Sequence, residues 1–145
     1  MRVTESGTIH HVGVVVRDVE KSARALEASG IGPWAIWTIA PASTIVHGKE
    51  VPFTFRVAFA EVGGANFELI GPVEGDSIYV DFLGTHGEGL HHTCVAYATR
   101  EALHDAKAEL VRQGREMVQS ADMGELGEFC YFEIPSWARC SSCSS

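Results

Sequence analysis

The chain has 145 residues, of which 46% are hydrophobic and 21% are charged. This is enough to bury the core of one globular domain, or of two small modules that share a core. Nineteen acidic residues against 11 basic residues give a formal net charge of −8, and no run of basic residues is present. The charge therefore argues against nucleic acid or an anionic membrane surface as a partner, and favours a small molecule or another protein.

The sequence shows no pattern typical of a membrane span or of a secretory signal peptide. No apolar stretch approaches the length of a membrane span, and the N-terminal residues lack the order of regions typical of a signal peptide. We therefore expect a cytoplasmic protein. Cys94 and Cys130 lie in apolar strand-like runs and are predicted to be buried thiols. Cys140 and Cys143 have redox or zinc spacing, but no second pair of that kind accompanies them.

The first half of the chain reads as a strand, a helix and three further strands. The β-branched run at 9–16 predicts the first strand, Asp18 is a typical helix N-cap, and Gly30 is expected to end the helix. A loop is expected around His47 and a turn at the glycine pair 63–64. The three further strands are predicted at 33–40, 51–62 and 65–72.

The second half repeats this order after a linking helix. "LHHTCVAYA" predicts a strand, Thr99 a helix N-cap and Gly114 a helix end. Two strands follow at 115–123 and 127–135, and symmetry with the first half requires one more strand where "WARCSSCSS" stands. We predict one α+β domain over 1–145, made of these parts: a first βαβββ module at 8–73, a linking helix at 76–88, a second module at 90–136 and an aberrant tail at 137–145.

The repeat extends to the positions of two histidines. His11 stands seven residues before the cap Asp18, and His92 stands seven residues before the cap Thr99. Each of these histidines also follows another histidine. The shared offset predicts that His11 and His92 occupy equivalent places in the two modules.

The histidines and one carboxylate together suggest a metal site. Neighbouring strand residues alternate faces, so only one histidine of each adjacent pair is expected to enter a shared cleft. The pairs are His10 and His11, and His91 and His92. Glu68 stands alone among apolar strand residues, where a carboxylate is costly to bury unless it is paired or metal-bound. Singly, each residue is more simply a satisfied or solvent-facing side chain. Together they suit a borderline divalent ion.

At these residues the chain resembles the vicinal oxygen chelate superfamily, which includes glyoxalase I, methylmalonyl-CoA epimerase, extradiol dioxygenases and bleomycin-resistance proteins. The resemblance runs up to about Ser136, and three segments look most like the epimerase and glyoxalase branch. These segments are "HHVGVVVRDVEKSARALEASGIGPW", "FELIGPVEGDSIYVDFLGTHGEGLHHTCVAY" and "FCYFEIP". The resemblance implies a glyoxalase-like fold, in which two βαβββ modules curl a mixed sheet around a cleft.

The resemblance also implies a divalent metal, which could be Zn, Ni, Co, Mn or Fe. Family ligands lie on the first and last strands of each module, and His11, Glu68 and His92 match three of the four. The fourth, a glutamate, should fall near Ser142, where the sequence has none. The second catalytic carboxylate of the epimerases has no clear match either, because Arg56 lies at about that position. No catalytic residue is therefore assigned.

The missing ligand and the serine-rich tail have one possible common cause. Among the synonymous codons for "WARCSSCSS", a set exists whose one-base shift encodes Leu-Gly-Ala-Val-Phe-Glu-Leu-Leu-Gln. This amphipathic strand carries its glutamate at the place of Ser142. We hypothesise that 137–145 are out of frame through a lost base, and that the last strand is missing or disordered. Parent DNA without a Glu-Leu-Leu strand in either shifted frame would rule this out.

The resemblance implies a metal-dependent isomerase or lyase that acts through an enolate on a small carbonyl or thioester substrate, as a homodimer. The abnormal C-terminus would impair its activity. Two other functions stay open: a metal-free binding protein of the bleomycin-resistance type and an extradiol dioxygenase. Four basic residues could hold a phosphate-bearing thioester, although solvated surface bases are the simpler interpretation: Lys21, Arg24, Lys49 and Arg56.

Overall fold

The computed structural model describes residues 7–135 in full and the backbone of 137–144. Within this part the chain forms three α-helices, which are α1 Val19–Ala28, α2 Ile78–His86 and α3 Arg100–Arg112, and a short 3₁₀ helix at Gly124–Leu126. It also forms ten strands, which are β1 Gly7–Val15, β2 Ala35–Ile39, β3 Ser43–Val46, β4 Lys49–Glu50, β5 Thr54–Val62, β6 Ala65–Glu74, β7 Gly89–Tyr97, β8 Met117–Asp122, β9 Glu128–Ile134 and β10 Trp137–Ser144.

The helices begin where the capping residues predict. The Asp18 side chain accepts a hydrogen bond from the Lys21 amide at 3.0 Å, and the Thr99 hydroxyl accepts one from the Ala102 amide at 3.1 Å. Both contacts satisfy amides that the first turn of a helix leaves without a backbone partner. A third N-cap, Ser77, starts α2 in the same way.

All ten strands form one mixed sheet in the order β2-β5-β6-β1-β7-β10-β9-β8-β3-β4. The antiparallel pair β1 and β7 lies at its centre, and each of these strands has a parallel neighbour, β6 or β10. Four strands on one side, β1, β6, β5 and β2, therefore correspond in order to β7, β10, β9 and β8 on the other. The predicted α+β class and its repeated modules are confirmed, whereas the predicted module boundaries stay a prediction.

One hairpin departs from the predicted order. The chain between β2 and β5 was expected to be a loop around His47, but it forms β3 and β4, and β3 pairs with β8 of the second half. The predicted strand at 51–62 is correspondingly shorter, because β5 begins at Thr54. Four-residue and two-residue strands carry too little periodicity to be recognised from the sequence. The β3–β4 hairpin of the first half thus extends the edge of the sheet beside β8 of the second half.

The last strand was predicted to be missing or disordered, and the structure describes the backbone of this segment as β10, Trp137–Ser144. β10 lies between β7 and β9, parallel to the first and antiparallel to the second, and fills the position that symmetry requires. Backbone hydrogen bonding depends little on side-chain identity, so a serine-rich segment can fill a sheet position between two neighbours. The hypothesis of a shifted reading frame concerns side chains of 137–145, which lie outside the described residues, and it stays a prediction.

The apolar core lies on both faces of the sheet. One cluster fills the inside of the curve and includes Phe55, Ile70 and Tyr79, while the outer face packs against α1 and α3. Cys94 and Cys130 are both buried, as predicted. Helical spacing in the sequence puts Leu103, Ala106, Leu110 and Val111 on one face of α3, but Val111 is 59% exposed. Among the described helices, none is long and apolar enough to cross a membrane.

Candidate metal centre

The central strand pair sets the two predicted histidines opposite each other. His11 of β1 pairs with Cys94 of β7, and His92 of β7 pairs with Gly13 of β1. The two pairings are equivalent under exchange of the modules, because Gly13 follows His11 by two residues as Cys94 follows His92. His11 and His92 are therefore diagonal neighbours on one face of the sheet, within reach of each other.

A β-bulge accompanies each histidine pair and changes the predicted alternation. Ile9 pairs with Val95 and His11 with Cys94, so His10 is an extra residue in β1. The second register shift makes His91 the extra residue in β7. A bulge re-aims side chains. The prediction that neighbouring histidines face opposite ways is consequently wrong for His10 and His11, since both line the cleft and their Nδ1 atoms are 2.8 Å apart.

Three side chains converge at the floor of the cleft. His11 Nε2 lies 3.5 Å and His92 Nε2 lies 3.2 Å from Glu68 Oε1. The two Nε2 atoms are 3.4 Å apart. Each of the three residues is less than one tenth exposed. Glu68 reaches this point because it pairs in parallel with Gly13. The His92 ring lies over the same glycine, which has no side chain to block it.

The spacing of the three donor atoms fits a divalent ion. Nitrogen and oxygen ligands lie roughly 2.0–2.1 Å from a four-coordinate ion, which puts tetrahedral donors about 3.3 Å apart. The observed separations of 3.2, 3.4 and 3.5 Å match this value. Glu68 Oε1 is buried, and the polar atoms beside it are the two imidazole nitrogens of His11 and His92. Such a carboxylate is costly without a cation, so His11, Glu68 and His92 fit a metal ligand set.

The two imidazoles keep Glu68 ionised. Burial alone would raise the pKa of Glu68, but its contacts with His11 and His92 outweigh that effect and lower the pKa to about 2. A carboxylate that stays charged in a buried site provides the negative charge that a divalent ion needs.

The adjacent histidines fix how the ligand rings are turned. His91 Nδ1 lies 2.8 Å from His92 Nδ1, and His10 and His11 make the same contact. A neutral imidazole donates from one nitrogen and accepts at the other, so one Nδ1 of each pair donates. With an ion at the centre, donation from Nδ1 of His11 and His92 would leave the Nε2 lone pair of each ring to the ion. Outer partners of this kind commonly fix the tautomer of metal-binding histidines.

Above the three donors lies a cavity of about 230 Å³ with mainly apolar walls. The rings of Phe59 and Tyr131 pack edge-on against His11 and His92, with ring centroids 5.3 and 4.9 Å apart. Trp37 lines the cavity and is 42% exposed. Of the described residues that line the cavity, none is Lys or Arg, so a ligand meets mainly apolar and aromatic walls with one polar end.

Two tyrosines at this site were not predicted to be functional. The Tyr131 hydroxyl lies 3.4 Å from His92 Nε2, and the Tyr79 hydroxyl lies 3.0 Å from that of Tyr131. Strand alternation in the sequence puts Tyr131 on the same side of β9 as Phe129, and both line the cavity. That alternation was a usable signal for Tyr131. Nothing in the sequence indicates that Tyr79, in the first turn of α2, reaches the same point.

The predicted basic residues do not reach the cavity. Arg56 bonds to the Glu20 carboxylate and donates to the Thr38 hydroxyl at 2.8 Å. Neither Lys21, Arg24 nor Lys49 lines the cavity. The fourth ligand position, predicted near Ser142, falls on a side chain outside the described residues.

The backbone register of β10 can nonetheless be compared with that of β6. Glu68 pairs with Gly13, and the equivalent partner of Cys94 is Ser141, whereas Ser142 pairs with Val95. The position equivalent to Glu68 is therefore residue 141, one residue before the predicted one.

The fold and this donor set define the class of protein. A model of the Glyoxalase/Bleomycin resistance protein/Dioxygenase superfamily matches residues 10–132, and the chain belongs to this superfamily. The mitochondrial methylmalonyl-CoA epimerase of Bos taurus is 29% identical over 135 residues, which cover 90% of this chain and 68% of that protein.

Solved structures share the fold at lower identity. The methylmalonyl-CoA epimerase of Mycobacterium tuberculosis has a TM-score of 0.65 and 20% identity, with 99% of this chain and 92% of that chain covered. A methylmalonyl-CoA epimerase in complex with methylmalonyl-CoA and NH4+ has a TM-score of 0.63 and 17% identity, with 97% and 96% covered.

Proposed function

We propose that this chain is a metal-dependent isomerase or lyase of the epimerase and glyoxalase type, acting on a small carbonyl or thioester substrate. The observation that carries the proposal is the convergence of His11, Glu68 and His92 on one point at the floor of an apolar cavity. A divalent ion bound there would act as a Lewis acid and stabilise the negative charge of an enolate.

The protein's own groups have separate tasks in this proposal. His11, Glu68 and His92 would hold the ion, and His10 and His91 would hold the two ligand imidazoles in orientation. The aromatic walls exclude water, which strengthens every charge interaction at the floor of the cavity.

The cavity suits the acyl end of a substrate. Its volume of about 230 Å³ accommodates a few carbon and oxygen atoms, and the described residues that line it include no lysine or arginine to pair with phosphate. A coenzyme A thioester would therefore place its nucleotide outside the cavity. The names of the bovine and mycobacterial relatives support methylmalonyl-CoA as the first substrate to test.

The groups available for proton transfer leave both an isomerase and a lyase reaction open. An epimerase takes a proton from one face and returns it on the other, so it needs a proton-transfer group on each side. Glu68 is the one carboxylate among the described residues that line the cavity, and Arg56 is engaged elsewhere with Glu20. A glyoxalase-type proton shift between adjacent carbons does not require a proton-transfer group on each side of the substrate.

A metal-free binding protein is the second candidate, and the apolar aromatic cavity favours it. A protein that only sequesters a ligand has no need of two histidines and a glutamate with donors 3.2–3.5 Å apart, so this geometry counts against it. An extradiol dioxygenase would also use two histidines and a carboxylate. The expected homodimer is a further proposal, which light scattering of the purified protein tests.

Deuterium exchange tests the proposed function directly. The protein is stripped with a chelator, reloaded with Co2+, Zn2+, Ni2+, Mn2+ or Fe2+, and incubated with methylmalonyl-CoA in D2O. A second reaction uses the hemithioacetal of methylglyoxal and glutathione. We expect metal-dependent deuterium uptake or thioester formation, which Glu68→Gln abolishes and the exposed control Glu61→Gln leaves unchanged. Wild-type protein that binds none of these ions in calorimetry would refute the proposal.

A further inference from the structure

The polar groups around the candidate centre include one that no metal ligand role accounts for. The Tyr131 hydroxyl lies 3.4 Å from His92 Nε2 and belongs to a side chain that is only 3% exposed. Tyr131 also lines the cavity. A polar atom this close to the donor set faces whatever occupies the centre.

The module repeat shows that this hydroxyl is a feature of one side only. Glu68 pairs with Phe59, and the equivalent pairing on the other side joins Ser141 to Tyr131. Phe59 and Tyr131 therefore occupy equivalent positions, each with its ring against one ligand histidine. The second module adds an oxygen where the first has none, across the centre from Glu68.

A second tyrosine determines what the Tyr131 oxygen can do. The fully buried Tyr79 hydroxyl donates a hydrogen bond to the Tyr131 oxygen at 3.0 Å. Since a phenol has one proton of its own, accepting this bond leaves the Tyr131 O–H to be donated onward. The Tyr131 O–H is then available for donation toward the centre, where His92 Nε2 lies 3.4 Å from the Tyr131 oxygen.

We propose that Tyr131 is a catalytic hydrogen-bond donor to the substrate oxygen that gains negative charge at this centre, and that Tyr79 is the residue that positions it. This inference rests on the proposed function, because it requires an oxyanion beside the ion held by His11, Glu68 and His92. A preorganised donor aimed at developing charge in a dry site is a recurrent source of rate acceleration.

The chemistry of a phenol agrees with this role. A phenol ordinarily keeps its proton at neutral pH, and a neutral phenol is a donor to an anion and a poor ligand for a divalent ion.

The test uses Co2+-loaded protein and acetohydroxamate, an anion-forming probe that offers two adjacent oxygens as an enediolate does. The visible absorption of Co2+ reports ion affinity and probe affinity separately, without any turnover. The variants are Tyr131→Phe and Tyr79→Phe. The matched control is Tyr97→Phe, which removes the hydroxyl of a buried tyrosine in the core cluster that packs against α3.

We expect Tyr131→Phe to keep the wild-type Co2+ affinity within about twofold and to bind acetohydroxamate about 10- to 100-fold more weakly, as loss of a hydrogen bond to a charged group predicts. Tyr79→Phe should weaken the probe about threefold to tenfold, since the Tyr131 hydroxyl persists but is no longer oriented. Tyr97→Phe should change neither affinity. If Tyr131→Phe does not fold, the contrast between Tyr79→Phe and Tyr97→Phe decides.

Several results would overturn the inference. Probe affinity that is unchanged in Tyr131→Phe, or equal in Tyr79→Phe and Tyr97→Phe, would show that the hydroxyls serve only packing. A Co2+ affinity reduced more than tenfold in Tyr131→Phe would make Tyr131 a metal ligand and not a donor. Wild-type protein that binds no Co2+ would refute the proposed function itself, and this inference with it.

Discussion

Replacing Gly13 by alanine should damage the candidate centre without touching any ligand. A Cβ atom at residue 13 would lie 2.1 Å from Cε1 and 2.2 Å from Nε2 of His92. Ordinary van der Waals contact begins at 3.4 Å, so the imidazole must move by about 1.3 Å if the strand stays in place. Metal sites tolerate deviations of only about 0.2 Å in ligand distances.

Two quantities should change in Gly13→Ala. The affinity for Co2+ or Zn2+ should fall by at least about 100-fold, the upper range seen when only the orientation of a ligand is disturbed. The free energy of unfolding without metal should fall by about 1–3 kcal/mol, as is usual when a methyl group is forced into a packed site. Gly84→Ala is the matched control, because a Cβ there meets nothing within 4 Å and metal affinity should stay unchanged.

A double-mutant cycle separates this clash from general damage to the strand. In the background of His92→Ala the ring is absent, so Gly13→Ala should lower the free energy of unfolding only slightly. The coupling energy between the two substitutions should therefore approach the whole loss of stability that Gly13→Ala causes in the wild type. Calorimetric metal titration and chemical unfolding supply both quantities. If Gly13→Ala binds metal as tightly as wild type, or if its cost is the same with and without His92, the placement of this ring over β1 is wrong.

Two further predictions concern the β10 register and the buried carboxylate. Ser141→Glu should tighten Co2+ binding at least about tenfold, because residue 141 is equivalent to Glu68 in the register. Ser142→Glu should not tighten it. The reverse result, measured by the same calorimetric titration, would show that β10 is displaced by one residue. Glu68 stays ionised in the folded protein down to about pH 2, while the unfolded chain takes up the proton near the ordinary value of 4.5, so acid favours unfolding in that interval. The stability advantage of metal-free wild type over Glu68→Gln, from urea unfolding, should shrink as the pH falls from 5 toward 2, and an advantage that grows there would contradict the assignment.

The sequence was sufficient for the features that repeat locally. The caps Asp18 and Thr99 begin helices where predicted, and the offset of seven residues identified His11 and His92 as equivalent. Glu68 could be singled out because a charged residue within an apolar strand needs a partner. These signals depend only on short-range periodicity and on the chemistry of single side chains, both of which the sequence states directly.

Other features were decided by contacts between distant strands. Alternation predicted that His10 and His11 face opposite ways, but a bulge forms because β1 and β7 pair with one extra residue on each strand, and no single strand encodes that register. The pairing of β3 with β8 and the meeting of Tyr79 with Tyr131 likewise join residues far apart in the chain. The sequence by itself thus determined the modules and three of the converging side chains. Tertiary structure alone decided how the rings are turned and which hydroxyl faces the centre, because both depend on cross-strand packing.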